Sequence, residues 1–115
     1  MNDFETLYVD DVAVIVLNIT NCTIYHQKKY KKIIDEEINS GRRKFIIDFS
    51  KCESIDSFFE AAINGTILKI SENDGKLKIV EPENISQNIF GYTRQFFESY
   101  KSSADALGSY ENTNQ

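Results

Sequence analysis

Lys44-Phe45-Ile46-Ile47-Asp48-Phe49-Ser50 and, a few residues on, Ile55-Asp56-Ser57-Phe58-Phe59-Glu60-Ala61-Ala62-Ile63 decide how this chain folds. The first stretch is a short, almost unbroken apolar run between polar flanks, which predicts a buried strand. The second places a hydroxyl at the start of an apolar helix that should run from Ser57 to about Glu72. Ser57-Phe58-Phe59-Glu60 fits the S-x-x-E capping pattern, in which the serine hydroxyl accepts from the Glu60 amide and the Glu60 carboxylate reaches back. Unpaired N–H groups converge at such a helix start and favour an anion there. Strand, loop and hydroxyl together predict a phosphate-compatible site in a switchable binding module.

The neighbouring segments extend this α/β reading in both directions. Leu7-Tyr8-Val9 and Val12 to Leu17 predict a hairpin turned at Asp10-Asp11. Its second strand is apolar at every position and should be covered on both faces. A polar connection from Asn18 to Thr23 leads to a helix from Ile24 to Ser40, stopped by Gly41. Tyr30, Ile33, Ile34 and Ile38 form its apolar stripe. Lys28, Lys29, Lys31 and Lys32 precede Asp35, Glu36 and Glu37, which opposes the helix dipole. Pairs Lys31–Asp35 and Lys32–Glu36 should offset some of this, each by ~0.3 kcal/mol. With Arg42, Arg43 and Lys44 the lysines form either a solvated face or a docking patch.

Downstream, Gly65 inside the apolar helix suggests a close approach to the sheet. Asn73-Asp74-Gly75 ends that helix, and Lys76 to Val80 is a strand stopped before Pro82. A short helix over Glu83 to Phe90, a weak strand over Gln95 to Tyr100 and a closing helix from Ser102 to Leu107 complete the pattern. Residues 109–115 read as a polar tail. The domain therefore spans residues 1–108, with a mixed sheet of four to five strands packed against about four helices.

Composition narrows the function classes. A chain of 115 residues with net charge −5 suits one acidic domain. It should bury roughly 65% of its unfolded surface. The charge disfavours direct nucleic-acid contact. No apolar run approaches the ~20 residues of a membrane span, and the acidic start lacks signal-peptide character. A cytoplasmic protein without membrane insertion is expected. Cys22 and Cys52 lack companion metal ligands and are expected to be free thiols. His26 is the only histidine, and nothing in its surroundings suggests a nucleophile or base. No enzyme activity, cofactor or metal is expected.

The quoted elements resemble the STAS domain, the fold of anti-sigma factor antagonists. The resemblance spans about residues 5 to 108. It includes the hairpin, Asn39-Ser40-Gly41, Phe45 to Ser50, Ile55-Asp56-Ser57, Gly65, Gly75 to Val80 and Ser103 to Leu107. It implies that Ser57, preceded by Asp56, is phosphorylated by a partner serine kinase that is itself the anti-sigma factor, and that phosphorylation releases the partner. The family pattern continues with a small hydroxyl residue and a glycine; here Phe58 and Phe59 stand in those places. Asp56, Ser57, Phe58, Phe59 and Glu60 are the expected partner-binding residues. Asp48 and Glu60 are expected near the serine, where their charge would oppose a phosphate. Consecutive helical residues lie about 100° apart, so only one of the two rings should face the core squarely. The alternative is a constitutive scaffold subunit of a sensory or membrane transport complex, using the aromatic pair as a permanent contact.

Overall fold

Residues 2–83, 85 and 89–112 are described by the computed structural model. Strands β1 (Phe4–Val9) and β2 (Val12–Leu17) form the expected hairpin, turned at Asp10 with φ 54°. A two-residue strand, β3 (Asn21–Cys22), precedes helix α1 (Ile24–Asn39). Next come β4 (Lys44–Asp48), a second two-residue strand β5 (Ser54–Ile55) and helix α2 (Ser57–Glu72). The chain continues with β6 (Lys76–Val80), a 3-10 helix over Gly91–Phe96, β7 (Glu98–Tyr100) and α3 (Ser103–Asn112).

The main sheet has the order β1-β2-β4-β6-β7. Only β1 and β2 pair antiparallel; β2, β4, β6 and β7 run parallel, as strands joined through helices do. Among the described residues this is the mixed five-stranded sheet that the sequence predicts, with four helices, the third of them the 3-10 helix. Phe45, Ile47 and Phe49 face α1 and α2, where they pack with Tyr30, Ile34, Phe59, Ile63 and Ile67. Ile46, Val12, Val14 and Val80 face α3, against Ala106 and Tyr110. β2 and β4 are thus covered on both faces, which is why their sequences do not alternate.

Three expectations need correction. The polar connection before α1 is not all loop: β3 pairs in parallel with β5, Cys22 opposite Ile55. Gly65 does not touch the sheet; it is exposed, and a Cβ there would meet nothing within 4 Å. The close approach belongs to Gly75, where a Cβ would lie 2.6 Å from Ile70 Cγ2 and 2.8 Å from the Ile70 carbonyl oxygen. The closing helix runs to Asn112 with Tyr110 buried, so residues 109–112 are part of the fold and not a tail. Half of the helix expected over Glu83 to Phe90 lies outside the described residues.

α1 begins on a cap that the pattern reading overlooked. The Thr23 hydroxyl accepts from the Tyr25 N–H at 3.3 Å, and the Thr23 N–H donates to His26 Nδ1 at 3.0 Å. The histidine therefore serves as the second half of a capping box. Gly41, with φ 97°, ends the helix in a conformation that suits glycine. Lys32 and Glu36 pair as expected, at 3.9 Å. Asp35 instead reaches Lys69 on α2 at 2.6 Å, joining the two helices.

Candidate functional site

The site lies where the N-termini of α1 and α2 meet. Asp56 holds them together with one carboxylate. Its Oδ1 accepts from the Phe59 N–H at 2.8 Å, capping α2, and its Oδ2 accepts from the Ile24 N–H at 2.9 Å, in the first turn of α1. Its own N–H donates to the Cys22 carbonyl at 3.0 Å. A carboxylate at two helix starts satisfies orphan donors and complements the positive end of both dipoles.

This arrangement overturns the expected capping box at Ser57. Asp56 is the N-cap, with φ −78° and ψ 170°, and Ser57 is the first helical residue. Ser57 is exposed, and its hydroxyl makes no hydrogen bond to any described residue. Glu60 is half-buried in the first turn, where its charge suits the dipole. Its carboxylate does not reach back to Ser57.

The aromatic pair divides as helical geometry requires. Phe59 is fully buried, its ring 5.2 Å from that of Tyr30 and edge-on to His26 at 6.4 Å. Phe59 is therefore a core residue, which corrects its expected place on the partner-binding surface. Phe58 points outward with 56% of its surface exposed. Two further apolar side chains at the start of α1 stand in solvent, Ile24 at 40% and Tyr25 at 90%. Sequence reading missed both, although Tyr25 carried a signal: it lies off the stripe of Tyr30, Ile33, Ile34 and Ile38.

The basic residues separate into two groups. Lys28, Lys29 and Lys32 join Tyr25, Ile33 and Glu36 around a shallow depression of about 500 Å³ on α1. Arg42, Arg43 and Lys44 sit beyond the other end of that helix and are engaged locally. Arg42 lies 4.4 Å from the Tyr8 ring centroid, Arg43 reaches the Arg42 and Ile38 carbonyls, and Lys44 pairs with Asp11 at 3.2 Å.

Asp48 is absent from the Ser57 surface, contrary to expectation. It alternates with Ile47 and so faces α3, accepting from the Ser103 hydroxyl at 2.7 Å and from the Ser50 N–H at 2.8 Å. Among the described residues no group of three His, Cys, Asp or Glu side chains is arranged to hold a metal ion. No helix among them is long and apolar enough to cross a membrane.

No protein-family model matches the chain. A Thermotoga maritima protein assigned as an anti-sigma factor antagonist is 33% identical to it over 94 residues, 78% of this chain and 80% of that protein. A crystal structure of a Thermotoga maritima anti-sigma factor antagonist matches with TM-score 0.73 and 27% identity, covering 92% of each chain. The Bacillus cell-fate determinant SpoIIAA, in its phosphorylated form, shares the fold with TM-score 0.74 at 15% identity, over 93% of this chain and 98% of that one. The chain belongs to the STAS-domain family of anti-sigma factor antagonists, regulatory binding proteins and not enzymes.

Proposed function

We propose that this protein is a cytoplasmic partner-switching module, that a serine kinase acting as anti-sigma factor docks on the joined starts of α1 and α2, and that phosphorylation of Ser57 ends the complex. One observation carries this reading: Ser57 is exposed at the first helical position with its hydroxyl unengaged, because Asp56 has taken over the cap. A phosphate on Ser57 therefore breaks no hydrogen bond of the resting fold. The α2 dipole favours the added charge of roughly −1.5 to −2, while Asp56 and Glu60 oppose it.

The recognition surface follows from the same geometry. Phe58 follows the serine directly, and Ile24 and Tyr25 begin the helix that Asp56 ties to it; their exposed apolar area is what a partner would bury. A new dianion beside that area must be desolvated for the complex to persist, which favours release. The fold tolerates phosphate, since SpoIIAA has been solved in a phosphorylated form.

Incubation with ATP and a serine kinase of the anti-sigma type is expected to add one phosphate at Ser57, detected by mass. Ser57→Ala should abolish the addition but retain the complex, and Ser57→Asp should weaken the complex at least tenfold. Phosphate at another residue, or equal binding by Ser57→Asp, overturns the switch. Exposed Phe58, at the position where the family carries a small residue, favours the second reading, a permanent contact in a sensory or transport assembly. In that case Phe58→Ala alone loses the partner, and no kinase modifies Ser57.

A further inference from the structure

Cys22 and Cys52 lie 30 positions apart in the chain but meet in the core. Their Sγ atoms are 3.1 Å apart, and both side chains are almost wholly buried. The main chain sets this contact. Cys22 is paired in β3 opposite Ile55 of β5. The Cys52 N–H donates to the Phe49 carbonyl at 2.9 Å, and the Glu53 N–H donates to the Thr20 carbonyl at 2.7 Å. Two backbone hydrogen-bond systems thus hold both cysteines in place from either side.

We infer that Cys22 and Cys52 form an oxidisable dithiol site, converted by hydrogen peroxide into an intramolecular disulfide that ties β3 to the loop before β5. A thiolate attacks one peroxide oxygen, the O–O bond breaks and the sulfur becomes a sulfenic acid; the departing hydroxide takes up the proton that the thiol gave up and leaves as water. The second thiol's sulfur then displaces the hydroxyl from that sulfenic sulfur. The S–S bond forms, a second water leaves, and two electrons and two protons have passed from the pair to the peroxide. The sulfurs need to close by only about 1 Å to reach a bond of ~2.05 Å.

Hydrogen bonding to Cys22, and then burial, push the Cys52 thiol upward, so Cys52 resists ionisation at rest. Oxidation therefore waits on a local opening. The segment that has to open lies at the surface: Lys51, Glu53 and Ser54 are all exposed, and Cys22 follows exposed Asn21. The consequence reaches the functional site, because the Cys22 carbonyl is the acceptor for the Asp56 N–H. The inference does not depend on phosphorylation of Ser57.

The test uses the full chain, reduced, freed of reductant, exposed to hydrogen peroxide, then denatured and treated with iodoacetamide. The expected product is a monomer lighter by about 2 Da that takes up no label, with the Cys22 and Cys52 peptides joined. Dithiothreitol should restore two labels. Amide exchange at Asp56 should slow by about tenfold in the oxidised folded protein. Two labels after oxidation, oxygen addition without a cross-link, or a disulfide between two chains overturns the site. Unchanged exchange at Asp56 overturns its reach into the functional surface.

Discussion

The two ends of the α2–α3 half of this molecule use polar groups in opposite ways. At the start of α2, one aspartate satisfies two helices and leaves a serine hydroxyl and an aromatic ring with no internal role. Under α3, by contrast, Lys78 and Tyr110 turn their polar groups inward. Lys78 is buried 3.9 Å beneath the Tyr110 ring and bonded to Ser109. The Tyr110 hydroxyl lies 2.9 Å from both the Phe45 and the Lys76 carbonyls. The first region is built to be available and the second to be closed. Availability of Ser57 follows from a structural substitution, Asp56 doing the work that the serine would otherwise do.

The strongest way to break this contrast is to open the closed end. Tyr110→Ala removes a buried ring, the hydroxyl contacts to two strands and the face over the Lys78 ammonium. A loss of about 4 kcal/mol in denaturant unfolding is expected, with partner binding per folded molecule unchanged. A loss under about 1 kcal/mol would return residues 109–112 to the status of a tail.

Next in size is the pair of adjacent rings. Phe59→Ala should cost about 3 kcal/mol, since it empties space against Tyr30 in a well-packed core. Phe58→Ala should change stability by no more than about 0.5 kcal/mol and yet lower partner affinity at least tenfold. If both variants behave alike in melting and in capture experiments, the division of the pair into core and surface is wrong.

Asp56→Ala tests the shared cap. It frees the Ile24 and Phe59 amides together, and at about 1 kcal/mol per cap a total near 2 kcal/mol is expected. Ser57→Ala in the same assay should cost nearly nothing. Equal losses would mean that the serine caps after all and that its hydroxyl is not free.

How much of this was legible in sequence varies with the kind of information each element carries. β4 and the apolar α2 declare themselves by run length and composition, and the hairpin by its paired aspartates. The cap did not, because aspartate and serine are equally good N-caps and the pattern shifts by one residue without changing its score. β3 and β5 are two residues long, too short for any periodicity. The end of α3 was hidden by Gly108, which reads as a stop, and by Tyr110, whose burial depends on Lys78 of a distant strand. The Cys22–Cys52 contact is wholly tertiary. At the site itself, the position of Ser57 was readable, whereas the roles of Phe58, Phe59 and Tyr25 depended on which helix face meets the sheet.

Gly65 gives the smallest effect and the finest test. It sits mid-helix in α2, between the available start and the C-terminal turn, on the groove beside Lys31, Asp35 and Lys69. A Cβ there enters open space, so Gly65→Ala gains helix propensity without a clash. An increase of roughly 0.5–1 kcal/mol in unfolding free energy is expected. Because the start of α2 is already fixed by Asp56, stiffening the middle should leave partner affinity and Ser57 modification as they were. A variant that melts higher but binds or accepts phosphate several-fold less would show that α2 bends in the complex, and that the available end works by yielding and not by standing ready.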